Sequence, residues 1–270
     1  MIGPNTQLCG VILHPAGHTR SPAMHNAAFE ALGIDARYVA FDVSPEQLPD
    51  AIRGTRALGI RQLAVSLPHK RAIMEHIDEL DETARSIGAV NTVTRVGAHL
   101  VGTNTDWIGL VRALETKTSL RGRHGAVLGA GGTARAAVYA LRESGCRVTV
   151  LNRTVAKAEA LARDLGADDA AALDTLPSID YDILINTTTV GLRSDESPVP
   201  AESLRSGSVV FDAVYDPAET KLLRDAALAG AHPIGGKWML IHQAIEQIHA
   251  WTRQRPDPDV LASAFDEAGT

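Results

Sequence analysis

The chain has 270 residues, 45% of them hydrophobic and 21% charged, with a net charge of −6. That is the composition of a globular protein long enough for two modest α/β domains. It contains no basic block to suggest a nucleic-acid surface, and no apolar run approaches the ~20 residues that cross a bilayer. The two cysteines, Cys9 and Cys146, make neither a disulfide framework nor a C-x-x-C pair. The opening residues lack the basic and apolar regions of a signal peptide, so a cytoplasmic protein is expected.

Strand-like and helix-like periods alternate along the chain, the pattern of an α/β fold. "QLCGVIL" reads as a strand, and Ser21-Pro22 as the N-cap and first residue of a helix stopped by Gly33. "ARYVAFDV" is a second strand, and Ser44-Pro45-Glu46-Gln47 is a capping box that opens a helix through Ala57. "IRQLAVSL" is a third strand, followed by helical patterns at "KRAIMEHI" and "DETARSIG". "NTVTRV" and "HLVGTN" pair as a hairpin about Gly97-Ala98.

A helix from Asp106 leads through a polar connection to the strands "GAVLG", "RVTVLN", "DILINT" and "SVVFDAV", with "HPIG" as a weak last one. "WMLIHQAIEQIHAWT" is apolar at positions 241, 244, 245, 248 and 251, as an amphipathic helix with Ile248 and Trp251 in the core. "VLASAFDEA" is a short final helix. The expected organisation is a substrate-binding α/β domain over 1–105, completed by helices in 238–270. A Rossmann-type dinucleotide domain over 106–237 follows it, with a cleft between the two.

Gly129-Ala130-Gly131-Gly132-Thr133-Ala134 fits G-x-G-x-x-A, between an apolar strand and a helix. The first glycine permits the tight turn and the second lets backbone N–H groups approach a pyrophosphate. Ala134 allows close helix–strand packing. About 20 residues beyond, where a carboxylate would accept from a ribose 2′-hydroxyl, stand Asn152, Arg153 and Thr154. An arginine offers a planar fork to phosphate oxygens, and Thr154 and Lys157 add donors, so the cofactor expected is NADP. A structural glycine turn and a solvated Arg153 are the bland alternatives.

"SLPHK" delivers Lys70 and "GTNTD" delivers Asp106, both at strand-to-helix junctions. Hydride removal from an alcohol needs an acceptor for the hydroxyl proton, which a lysine can be, with an aspartate to orient the hydroxyl. By spacing alone, a solvated lysine and a helix-capping aspartate fit equally well. His69 beside Lys70 is either an electrostatic neighbour or a bystander. His14, His18 and His25 lie in a stretch with no regular element to converge them on a metal, and none is expected.

The segments "SPAMHN", "VSLPHK", "GAVNTV", "GTNTDWIGL", "VLGAGGTARA", "LNRT", "DILINTTTVG", "FDAVYDPAET" and "MLIHQAIEQ", in that order, resemble the shikimate dehydrogenase family over nearly the whole chain. The resemblance implies an NADP-dependent oxidoreductase acting on the CH–OH group of shikimate, or a close cyclic hydroxy acid, within aromatic amino acid biosynthesis and the chorismate pathway. It makes Lys70 and Asp106 the catalytic pair. Thr19, Ser21, Ser66, Asn91, Tyr215 and Gln243 fall on the substrate side. Thr187, Gly236 and Met239 join the glycine turn and the Asn-Arg-Thr clamp on the cofactor side. A small-molecule substrate, no nucleic acid, no membrane and a monomer or homodimer are implied.

Several positions depart from the family pattern and resemble its divergent members. Thr19-Arg20-Ser21 replaces Ser-x-Ser, and Ala64-Val65-Ser66 replaces Asn-Val-Thr. Trp107 and Trp238 stand where glycine is usual. These leave open quinate or aminoshikimate as substrate. A methylene-tetrahydrofolate-type NADP dehydrogenase and a non-catalytic nucleotide-binding protein are the remaining alternatives.

Overall fold

The computed structural model describes residues 2–17 and 19–269; His18 lies outside them. The chain divides into two compact units, Met1–Thr105 with Ile241–Thr270, and Asp106–Leu240. Among the described residues, each unit holds a six-stranded sheet.

The first unit runs β1 (Gln7–Leu13), α1 (Ser21–Ala31), β2 (Ala36–Asp42), α2 (Leu48–Ala57) and β3 (Gln62–Val65). β4 (Glu79–Leu80), α3 (Glu82–Ile87), β5 (Thr92–Val96) and β6 (His99–Thr103) follow. β2 and β3 flank β1 in parallel, and β5 and β6 form the expected hairpin, turned at Gly97 with φ +61. One face of the sheet presents Ile12, Leu63, Val65 and Val93 to Leu48 and Ile52 of α2 and to Ile73, an apolar core. On the other face the register aligns Tyr38, Cys9, Gln62 and Thr94 in one row.

Residues 70–77 do not form the expected helix; only Ala72–Glu75 makes a 3-10 turn. The Lys70 carbonyl, which would accept from the residue 74 N–H in a helix, instead accepts from Val90 at 2.8 Å, and Met74 bonds back to Arg71. Tertiary pairing has taken the bond that helix growth needs. Likewise Ser21 is the first helical residue of α1 and not its cap, a place held by Arg20.

The second unit runs α4 (Asp106–Glu115), β7 (His124–Leu128), α5 (Gly132–Glu143), β8 (Arg147–Leu151), α6 (Val155–Leu165) and β9 (Asp169–Ala171). It continues with β10 (Ile183–Asn186), β11 (Val209–Asp212), α7 (Lys221–Leu228) and β12 (His232–Gly235). All strands are parallel, in the order β12-β11-β10-β7-β8-β9. The central strands are buried on both faces, as a parallel sheet covered by helices requires. The order reverses between β7 and β10, the switch point at which such sheets bind ligands.

α8 (Lys237–Thr252) begins in the second unit and continues into the first, where α9 (Pro258–Glu267) closes the chain. Ile241, Ala244, Ile245 and Ile248 are buried as expected, but so are Gln243, Glu246 and Gln247. Gln247 Nε2 donates to Thr92 Oγ1 at 2.9 Å, and Glu246 pairs with Arg255 at 2.9 Å. From Ile241 to Ile248 the helix is therefore enclosed nearly all round, with Gln247 bonded to the sheet. Trp251 is only half-buried, edge-on to Phe29 with the Arg61 guanidinium above its ring.

Candidate functional site

In the first unit the loops after β1, β3 and β6 and the start of β5 come to one edge of the sheet. Ser66 N–H donates to Ile12 O at 3.0 Å, Val65 N–H to Asn91 O at 2.7 Å, and Asn91 N–H to Thr103 O at 3.1 Å. That edge carries Thr19, Ser21, Ser66, Lys70 and Asn91. Asn91 is 2% exposed. Its Nδ2 donates to Thr105 Oγ1 at 3.0 Å and to Gln243 Oε1 at 3.3 Å, while its Oδ1 accepts the Thr105 N–H at 2.8 Å. Thr105 Oγ1 also donates to the Gln243 carbonyl at 3.1 Å. Asn91, Thr105 and Gln243 thus form one buried amide–hydroxyl group. Thr105 is absent from the residues that the sequence singles out; its place directly before Asp106 is the available signal.

Lys70 is half-buried, and its main chain is fixed by the Val90 bond to the segment that leads through Asn91 into β5. His69 is buried, with Nε2 at 2.7 Å from the Val43 carbonyl. Burial holds its pKa below the usual histidine value, so the ring is a neutral anchor between the loops after β2 and β3. Thr19 Oγ1 accepts the Ser21 N–H at 3.3 Å, which sets the two hydroxyls in one short segment. His14 lies 2.7 Å from Asp42, whose carboxyl it draws below its ordinary range, and His25 stacks on Tyr38 at 4.0 Å. Among the described residues no three His, Cys, Asp or Glu side chains are grouped to hold a metal.

In the second unit the singled-out residues again lie at one edge, the carboxyl ends of the strands. Gly129 directly follows β7 with φ +112, Gly131 is the N-cap of α5, and Ala134 is wholly buried against the sheet. A Cβ on Gly131 would meet nothing within 4 Å, so the space over the turn is open. The N–H groups of the first turn of α5 point to this crevice, as an anion site requires. Thr187, at the end of β10, donates from Oγ1 to Leu128 O at 2.6 Å. Behind it Asn186 Nδ2 donates to Asp212 Oδ1 at 2.9 Å, and Thr220 Oγ1 to Asp212 Oδ2 at 2.7 Å. This buried group, whose carboxyl burial pushes up in pKa, braces the loops after β10 and β11.

Asn152, Arg153 and Thr154 connect β8 to α6, and Asn152 Nδ2 donates to the Thr154 carbonyl at 2.9 Å. Arg153, Thr154 and Lys157 are exposed at the start of α6, and among the described residues neither cation has a carboxylate partner. An open glycine cradle and two cations beyond it match a phosphorylated dinucleotide. Tyr215 is half-buried in the loop after β11. Gly236 passes so close to β11 that a Cβ there would clash with the Ala213 backbone. Met239 is packed in the core of this unit.

Asp106 is the first residue of α4 and is 5% exposed. Trp107 does not add open bulk as its departure from glycine suggests; its ring stands edge-on to Tyr139 of α5 at 5.6 Å and packs on the core. Trp238 remains exposed, with the Lys237 ammonium 5.7 Å from its ring centre. Cavities of about 500 and 360 Å³ lie elsewhere and are lined by none of the singled-out side chains. Among the described residues no helix is long and apolar enough to cross a membrane.

Residues 11–93 match the family described as the shikimate dehydrogenase substrate binding domain, and residues 112–194 match shikimate / quinate 5-dehydrogenase. A shikimate dehydrogenase (NADP(+)) of Thermococcus kodakarensis is 46% identical over 98% of this chain and 97% of its own. The shikimate 5-dehydrogenase of Thermus thermophilus, solved with NADP(H) and shikimate, is 38% identical with a TM-score of 0.91, covering 97% of this chain and 99% of that one. A 5-ketofructose reductase of a Gluconobacter strain, solved without ligand, is 34% identical with a TM-score of 0.86, over 98% and 100%.

Proposed function

The chain belongs to the shikimate dehydrogenase family, and from that premise we propose that it interconverts shikimate and its 3-dehydro ketone by NADP-dependent hydride transfer. The observation that carries this reading is the gathering of Thr19, Ser21, Ser66, Lys70, Asn91 and Gln243 around one edge of the first sheet. Hydroxyls, amides and one cation suit a ring that bears a carboxylate and several hydroxyl groups.

Bound NADP supplies the acceptor of the hydride. Lys70 takes the proton of the reacting hydroxyl as the alcohol is oxidised, and Asp106 accepts from a neighbouring ring hydroxyl, which orients the substrate, and balances the ammonium. Thr19 and Ser21 hold the carboxylate; Ser66, Asn91, Gln243 and Tyr215 orient the ring. The segment Gly129–Ala134 cradles the pyrophosphate, and Asn152, Arg153, Thr154 and Lys157 hold the 2′-phosphate. Thr187, Gly236 and Met239 line the way to the nicotinamide. Its setting, on this reading, is the cytoplasm and the biosynthesis of aromatic amino acids.

Ala64 favours a second reading. It stands where the family resemblance places a substrate-binding amide, so quinate or aminoshikimate competes with shikimate. The 5-ketofructose reductase widens the panel to a sugar ketone. The test is one series of NADP-reduction rates with shikimate, quinate and aminoshikimate, beside NADPH oxidation with 5-ketofructose. Methylene-tetrahydrofolate is added with NADP. The highest kcat/KM with shikimate supports the first reading. Turnover of the folate alone, or of none, refutes it.

A further inference from the structure

Between the two hydroxyls proposed to hold the carboxylate lies Arg20, whose side chain is committed to the far end of the chain. Its guanidinium carbon lies 4.3 Å from the centre of the Phe265 ring, and Nη1 donates to the Phe265 carbonyl at 3.3 Å. Phe265 is 1% exposed and belongs to the last turn of α9. In that turn helix carbonyls run out of intrahelical donors, and the helix dipole favours a cation. A Cβ on Gly269 would come within 2.6 Å of the Arg20 guanidinium, so the turn after α9 is also packed on it. α9 lies along α1, whose N-cap is Arg20 itself. One side chain therefore caps one helix, stacks on its aromatic residue and fixes the start of another.

We propose that Arg20 is a positioning residue: by gripping the C-terminal end of α9 it holds Thr19 and Ser21 where a substrate carboxylate can accept from both hydroxyls. The proposal rests on the reading that those two hydroxyls bind the carboxylate. A guanidinium is suited to this task because its plane stacks on the ring while its edge donates to the carbonyl, which an ammonium cannot do together. Without the grip the segment must be ordered when substrate binds, a cost that falls on affinity and not on the chemical step.

The test uses the full chain and initial rates with shikimate and NADP. Arg20→Ala is expected to raise the shikimate KM roughly three- to tenfold. The kcat and the NADP KM should stay within about twofold of the parent. Phe265→Leu, which keeps most of the volume but removes the ring, should raise the same KM in part. The double variant should be no worse than Arg20→Ala alone, because both break one contact. Arg20→Lys should recover part of the loss, and it carries the same test if Arg20→Ala does not fold.

An unchanged shikimate KM in Arg20→Ala overturns the proposal. So does a loss shared equally by kcat and the NADP KM, or a normal KM in Phe265→Leu beside a raised one in Arg20→Ala. Thr19→Ala combined with Ser21→Ala separates the premise: if that pair leaves the shikimate KM unchanged, the carboxylate reading is what fails.

Discussion

Gly129 and Thr187 meet across the switch point of the second sheet, so closely that a Cβ on the glycine would lie 2.7 Å from the threonine Oγ1. The glycine also needs its φ of +112, which other residues rarely adopt. Gly129→Ala should therefore cost about 1–3 kcal/mol of stability as well as cofactor affinity. Gly131→Ala enters open space and should fold with stability within about 0.5 kcal/mol of the parent. It should nonetheless weaken NADP by roughly tenfold or more, since the pyrophosphate must approach that backbone. Denaturant midpoints and fluorescence titrations distinguish the two. Parental NADP affinity in Gly131→Ala would place the cofactor elsewhere.

NADP should bind more tightly than NAD. A guanidinium–phosphate contact is worth on the order of 1.5–3 kcal/mol, about ten- to a hundredfold in affinity. Arg153→Ala should shrink the preference by weakening NADP and leaving NAD nearly as before. Equal dissociation constants for the two cofactors in the parent protein would refute the clamp.

Lys70→Ala should lower kcat by roughly 10²–10⁴-fold, the usual worth of a positioned proton acceptor. NADP binding should be untouched, and Asp106→Ala should behave alike. Single-turnover rates with saturating shikimate provide the check. A Lys70→Ala protein turning over at the parental rate removes the lysine from the reaction.

Acidification should destabilise the fold through His25. The ring is fully buried, its Nδ1 lies 3.0 Å from the Ser21 carbonyl, and burial pushes its pKa down to about 4. The unfolded chain binds a proton near pH 6.5 that the folded chain refuses until about pH 4. This contribution is complete above pH 6.5 and is lost as the pH falls to about 4, on the order of 3 kcal/mol in total. Asp212, raised by burial, works in the opposite sense. The difference between the parent and His25→Gln isolates the histidine. Parallel stability curves for the two between pH 7 and 4 would contradict this.

The sequence is most legible where local signals agree. Around Gly129, an apolar strand, a glycine turn and a helical period all indicate one unit, and β7, α5 and β8 are present there. It is least legible where a long-range bond decides the outcome. "KRAIMEHI" has a helical pattern, but the Val90 N–H claims the Lys70 carbonyl, and a pattern carries no record of that competitor. The apolar period read in α8 leaves out Gln243 and Gln247, because glutamine is usually exposed. The partners that bury them, Asn91 and Thr92, lie 152 and 155 positions away. β4 and β9 are too short to show a period. Trp107 reads only as a departure from glycine, because the direction of its ring depends on Tyr139.

The first unit is assembled from two separated lengths of chain, whereas the second is continuous, and this has a consequence during synthesis. At ~5–20 residues per second the ribosome needs on the order of ten seconds to produce 106–240. Throughout that interval the strand face that carries Gln62, Thr92 and Thr94 has emerged without the helix whose Gln247 will bond to it. The nucleotide-type unit can finish folding first, while in the earlier-made strands Gln62 can reach Thr94 and Thr92 can reach Asn91 but their bonds to Gln247 are still unmade. The nascent 1–105 segment thus waits longest in an incomplete state, and it leaves that state only when Ile241–Thr270 arrives.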